Sequence, residues 1–294
     1  MKKPFKMNNY AKFFLIVVLA MNCSTTEAQN IKTFAQPESI NSDGKFFYVT
    51  NIGPNPDPLA YDQDGFVSKV DKTGKIIVKS MTSEKLNAPK GTAVIGSTLY
   101  IADLERIIGI DLSTGKKKRE ISLTSYNTSF ANDLGVKDSN TLFVSATDTG
   151  EILELDLKTG NAHVIARLKG VNGIFYDQTK KRLYACSFIF EDPEGGEIGM
   201  VKWIKGKPVY QRIGNFKGAF DGIGLLNQNT LLVSNWKTLD HSAGAIEKIN
   251  LDKNTSQELG LPLMYGPADF FIDRRQKRIM IPIVMENRLH IEKY

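Results

Sequence analysis

The feature that most constrains this chain is a unit of about 46 residues that recurs six times. Each unit opens with a short apolar run, passes a polar turn, and continues into a second run written TLYIAD, TLFVSA, RLYACSF or TLLVSNW. Gly, Asn, Asp and Lys punctuate these β-branched and aromatic runs, and no long stretch carries the 3.6-residue period of a helix. Such runs build strands. A strand-rich unit repeated at this length builds blades around an axis rather than the two layers of a sandwich. The expected fold is all-β, a six-bladed β-propeller.

The residues that open the first strand of successive units are Glu38, Lys90, Asn132, Asn172, Asp221 and Ala268, separated by 52, 42, 40, 49 and 47 positions. Each interval is long enough for four strands. In the third unit these are expected at residues 134–136, 141–146, 151–155 and 162–166, joined by DSN, TDTG and LKTGN, whose residues favour tight reversals. Only 26 residues follow Ala268, enough for three strands at 270–272, 278–284 and 288–291. The missing outer strand must come from elsewhere. Residues 30–34 precede the first unit, so they are expected to pair beside the C-terminal strand and close the ring, which also removes exposed sheet edges.

Ahead of the repeats, Lys2, Lys3, Lys6 and Lys12 precede an apolar run at residues 13–21 that is too short to span a bilayer. This is the pattern of an export signal, cut after Ala28, which leaves a domain at 29–294 in the periplasm or secreted. Without the leader the basic count falls from 38 to 34 and the acidic count from 32 to 31, so net charge drops from +6 to about +3. That balance, mixed along the chain, excludes a nucleic-acid partner. Of the two cysteines, Cys23 lies in the leader and Cys186 in an apolar run, so no disulfide is expected and Cys186 belongs in the core. The alternative for Cys23 is a lipid anchor, although Ala20, Met21 and Asn22 match the usual lipobox poorly.

In a propeller blade the chain runs down the tunnel-lining strand, up the second, down the third and up the outermost. The six aligned residues therefore encircle one end of the tunnel. Four of them, Glu38, Asn132, Asn172 and Asp221, carry hard oxygen donors. These suit Ca²⁺, which takes six to eight oxygens at roughly 2.3–2.6 Å, and the two carboxylates balance its charge. Zn²⁺ or another divalent ion comes second, because softer ions prefer nitrogen or sulfur. A single Asn or Asp before a strand is ordinarily a turn residue bonding its own backbone. Four converging on one tunnel would leave charge buried unless a cation joins them. Lys90 fits this ring badly, and is expected to pair with Asp133 or Asp269 or to snorkel to solvent.

Loops between second and third strands lie on the same face, and three are long: residues 53–65, stiffened by Pro54, Pro56 and Pro58, residues 191–197, and residues 236–242. They are the expected specificity elements. Trp203 and Trp236 either line a pocket or pack between blades. His241 is the only histidine placed near the metal face, and histidine can transfer protons near neutral pH. A solvated loop position is the plainer reading of it. His163 and His290 fall on outer strands.

At these residues the sequence resembles the senescence marker protein, gluconolactonase and diisopropyl fluorophosphatase group of six-bladed propellers. The resemblance rests on PESINSDGKFFYVTN from Pro37, NDLGVKDSNTLFVSA from Asn132, NGIFYDQTKKRLYACSF from Asn172 and DGIGLLNQNTLLVSNW from Asp221. It implies a catalytic Ca²⁺ held by Glu38, Asn132, Asn172 and Asp221, and hydrolysis of lactones, related esters or, in some members, organophosphates. The ion would act as Lewis acid, with Asp221 as ligand and also base or nucleophile. Two departures narrow the inheritance. Phe130 stands where gluconolactone-type members resemble one another in an Arg, so sugar-acid lactones are less favoured, and Met285 stands where the phosphatase-like members carry a His, so organophosphate hydrolysis drops to a side possibility. The candidate pocket residues are Lys90, Trp236, His241, Asp269 and Met285. Two classes survive: a Ca²⁺-dependent lactonase or esterase acting on a small molecule, and a non-catalytic Ca²⁺-stabilised propeller binding a small ligand or protein.

Overall fold

A computed structural model describes residues 29–32 and 34–294, and the expected leader with its Cys23 lies outside the described residues. Six antiparallel sheets of four strands each follow one another around an axis. In five blades the strands run from the tunnel outward in chain order. Blade three is Ala131–Asp138, Thr141–Ala146, Glu151–Asp156 and Ala162–Arg167, close to the positions expected from its turns. Blade six takes Phe271–Asp273, Arg278–Ile283 and Arg288–Lys293 from the C-terminal end. Its fourth strand is Gln29–Lys32, which pairs antiparallel with the last strand, Gln29 opposite Ile291 and Lys32 opposite Arg288. The ring is closed as the short sixth unit requires. His290 therefore lies on the third strand of its blade, inside the N-terminal one, and is buried.

The repeated outer hairpins have a shared local cause. In DKTGK, DLSTGK and DLKTGN the Asp side chain accepts backbone N–H groups two to four residues on: Asp71 from Thr73 and Lys75, Asp111 from Ser113 and Thr114, Asp156 from Lys158 and Thr159. Gly74, Gly115 and Gly160 then turn the chain at φ of 90°, 70° and 79°, where a Cβ would be strained. Each blade packs both faces on its neighbours, so middle strands such as Phe47–Asn51 are buried throughout. Between blades three and four the core includes Phe143, Ile152, Leu183 and Val201, each contributing roughly 1.5–3 kcal/mol of burial.

Five of the six inner strands carry a register shift, between Pro37 and Ile40, Pro89 and Thr92, Ala131 and Leu134, Val171 and Ile174, and Phe220 and Ile223. Each shift brackets the ring residue and its successor. A bulge breaks the ladder and re-aims side chains, so it must find partners for the N–H it frees. In blades one, three and five a hydroxyl on the second strand takes it: Ser39 N donates to Thr50 Oγ1, Asp133 N to Ser145 Oγ and Gly222 N to Ser234 Oγ.

Candidate functional site

The bulges set two tiers of residues at one end of the tunnel. The outer tier is the ring of Glu38, Lys90, Asn132, Asn172, Asp221 and Ala268, all buried. The inner tier is formed by their successors Ser39, Gly91, Asp133, Gly173, Gly222 and Asp269. Glycine stands where the neighbouring blade comes close. A Cβ on Gly91 would meet Asp133 Cα at 2.5 Å, and one on Gly173 would meet the Asp221 carbonyl oxygen at 2.3 Å.

Asp133 and Asp269 are satisfied by protein. Asp133 accepts from Leu134 N at 2.7 Å and, across the blade boundary, from Ile174 N at 2.7 Å. Asp269 accepts from Ser39 Oγ at 2.6 Å, while its own N–H donates to the Glu38 carbonyl, tying blade six to blade one. In the outer tier the situation reverses. Glu38 Oε2, Asn172 Oδ1 and Asp221 Oδ1 are buried without a hydrogen-bond partner. Buried oxygens of this kind ordinarily find a donor or a cation. The second Asp221 oxygen accepts from Trp236 Nε1 at 2.9 Å.

Electrostatically the tunnel holds four carboxylates and one ammonium. Burial, then Asp221 nearby, pushes the Glu38 carboxyl well up. Burial raises Asp221 to about 7 and Asp133 to about 6, and it raises Asp269 well above the usual carboxylate range with Asp133 as the next cause. Burial lowers the Lys90 ammonium to about 8, with Glu38 opposing the shift. A divalent cation beside Glu38 and Asp221 would remove most of this excess negative charge. Among the described residues no three His, Cys, Asp or Glu side chains are grouped to hold a metal. Any cation here would depend on the amide oxygens of Asn132 and Asn172, a donor set for a hard ion.

Lys90 differs from expectation. Its Nζ donates to the carbonyls of Ala88 at 2.9 Å and of Pro58 at 2.7 Å, and lies 4.7 Å from the Phe130 ring centroid. It neither pairs with Asp133 or Asp269 nor snorkels, being 1% exposed. Two carbonyl dipoles and a ring face stabilise the ammonium where a carboxylate was expected. The bond to Pro58 also fastens the long loop of blade one. Trp236 packs edge-on against Phe188 with centroids 5.5 Å apart while it donates to Asp221. His241 is exposed and pairs with the adjacent Asp240 at 2.5 Å. Met285 is exposed in the turn between the second and third strands of blade six. Cys186 is buried, its thiol 3.2 Å from the Asp221 carbonyl oxygen, and burial pushes it well up.

Asp133 as a cross-blade acceptor, and Thr50, Ser145 and Ser234 as bulge partners, were not singled out by sequence reasoning. A hydroxyl residue at the fifth position of the second strand, as in TLFVSA and TLLVSN, is the signal that could have found the last two.

No protein-family description matches this sequence, and no curated protein is significantly similar to it. Solved structures do match in shape. Hydrazine synthase of Kuenenia stuttgartiensis is similar with a TM-score of 0.62 and 16% identity, over 89% of this chain and 78% of that one. A structural genomics protein of unknown function from Bacteroides thetaiotaomicron VPI-5482 is similar with a TM-score of 0.64 and 9% identity, over 90% and 71%. At such identities the likeness is one of fold. This chain is a six-bladed β-propeller.

Proposed function

We propose that this chain is an exported, Ca²⁺-dependent hydrolase of lactones or related esters, of the kind found in the senescence marker protein and gluconolactonase group. Glu38, Asn132, Asn172 and Asp221 hold the ion, with Zn²⁺ or another divalent metal as second choice. The observation that carries this reading is the set of buried, partnerless oxygens on Glu38, Asn172 and Asp221 at one end of the tunnel. Fixed carboxylates and amides with no donor of their own form a site that is completed by a hard cation.

A divalent ion in that position supplies Lewis acidity to a substrate carbonyl. The protein's own groups then have separate duties. Trp236 holds Asp221 through one carboxylate oxygen and leaves the other without a protein partner. That second oxygen is the group placed to accept a proton from water. Asn132 and Asn172 are neutral, and Glu38 serves only to bind. Ala268 and the tied-back Lys90 bring no oxygen to the ring positions on either side of Glu38, and substrate and water would enter through these gaps.

The second reading, a non-catalytic propeller stabilised by Ca²⁺, draws support from the fully buried Lys90 that fastens the blade-one loop, and from Phe130 and Met285 in place of the Arg and His of the resembling enzymes. The two separate in one experiment: purified protein is analysed for bound metal and assayed on lactones and aryl esters with Ca²⁺ or chelator, beside Asp221→Asn. Metal-free protein with an intact fold would sink the Ca²⁺ assignment. Bound Ca²⁺ with no turnover on any substrate would favour the second reading.

A further inference from the structure

A cavity of about 730 Å³ opens on the same face as the ring. Its walls come from opposite sides of the propeller. Asp57, Pro58 and Leu59 belong to the loop of blade one, whereas Thr147, Phe188 and Phe190 belong to blades three and four. Contacts between inner strands run in ring order from blade one through blade five, so blades one and four face each other across the axis. The lining holds no residue of the ring itself, but Pro58 and Phe130 in its wall are also the partners of Lys90, so the cavity adjoins the tunnel mouth beside Lys90.

Its apolar wall holds Phe130, Phe188 and Phe190, and these rings continue into Trp236, outside the lining, as one row. Phe130 stacks on Phe190 with centroids 6.2 Å apart, Phe190 on Phe188 at 4.8 Å, and Phe188 meets Trp236 edge-on at 5.5 Å. The row is anchored at both ends by tunnel residues: Lys90 lies over Phe130, and Trp236 donates to Asp221. Phe130 and Phe188 are buried, but Phe190 is 43% exposed at the cavity. Charged side chains around the cavity include Arg167 and Lys169 on one hand and Asp57, Asp148 and Glu191 on the other. Asp148 is already bonded by Thr128 and Ser129. Such mixed charges select no strongly charged ligand.

We infer that this cavity is the binding subsite for a flat, neutral, apolar group, so the molecule recognised is an aryl or otherwise hydrophobic ester or lactone rather than a polyhydroxylated one. The inference rests on the reading of the ring as the place of the reacting carbonyl. Contact with the exposed part of the Phe190 ring rewards a planar apolar surface. Sugar hydroxyls laid against phenyl faces would lose their bonds to water without replacement, at a cost for each one. Phe190 is thereby a specificity-determining residue, and the loop that carries it is the element that sets substrate choice.

The test is calorimetric titration of the full purified protein with 2-acetylnaphthalene, a flat neutral ketone that cannot be hydrolysed, and separately with glucono-δ-lactam. Wild type should bind the naphthyl ketone, Phe190→Ala should bind it about tenfold more weakly, and Phe190→Trp should restore binding. Unchanged thermal melting of the exposed-site variants separates lost contact from lost fold. Equal affinity in Phe190→Ala, no binding by wild type, or preference for the lactam would overturn the inference. Bound calcium and turnover of 2-naphthyl acetate are measured on the same preparations. Phe190-dependent binding without metal or turnover retires the hydrolase and keeps the subsite, while metal and turnover with Phe190-independent binding does the reverse.

Discussion

Asp133 and Asp221 are both buried acids on bulged inner strands, one residue apart in tier, yet they are treated in opposite ways. Asp133 accepts backbone N–H groups from its own blade and from the next. Asp221 keeps one oxygen on an indole and the other on nothing that the protein provides. The difference teaches that burial alone does not mark a functional carboxylate in this tunnel. The inner-tier acid is a staple between blades, whereas the outer-tier acid keeps an oxygen that no protein donor fills.

The largest effect that would sharpen this contrast is on activity. On the proposed Ca²⁺ site, Asp221→Asn removes a ligand charge, so Ca²⁺-dependent ester turnover should fall by about 10²-fold or more, and Ca²⁺ should raise the melting temperature of wild type but not of the variant. An unchanged rate would place the chemistry elsewhere. Next is Asp133→Ala, which leaves the buried N–H of Ile174 without an acceptor and should cost about 2–3 kcal/mol in denaturant unfolding. A loss no larger than that of a surface substitution would deny it the role of staple.

The metal-free protein should also respond to pH. Because the Asp221 carboxyl is raised from an ordinary 3.8 to about 7 in the folded state, native protein holds a proton that the unfolded chain gives up between those values. Its contribution to stability therefore falls as pH rises from about 4 to about 7, by up to about 4 kcal/mol, and stays low above that window. Saturating Ca²⁺ should flatten the fall. Urea melts at pH 5 and pH 8, with chelator and with Ca²⁺, check the sign. The smallest effect is at the bulges, where Ser145→Ala frees the N–H of Asp133 and should cost about 1 kcal/mol, compared with near zero for Ser129→Ala on the exposed loop.

Much of the fold was legible because its signals are local. Asp-x-x-Thr-Gly hairpins mark their own turns, and a sixth unit too short for four strands demands a strand from the other end. The outer tier was legible too, since equivalent residues of a repeat share one face. What escaped was bonding between parts distant in sequence. Lys90 is held by the carbonyl of Pro58, and a backbone carbonyl has no residue type to announce it. Thr50 reads as an ordinary β-branched strand residue until the bulge opposite it leaves an N–H to be filled. Asp133 follows Asn132 as in a common turn pair, and only the neighbouring blade shows that it reaches Ile174.

The strand that closes the ring decides how this molecule can be tethered. Gln29 begins on the outermost strand of blade six and the chain rises from it toward Pro37 at the ring, while Tyr294 ends beside Lys277 on the opposite face. Both ends of the described chain thus emerge on the far side from the tunnel mouth, near one point of the perimeter. A surface linked to either end would hold the propeller like a dish on a stem, mouth outward, with its loops of blades one, four and five open to whatever diffuses past.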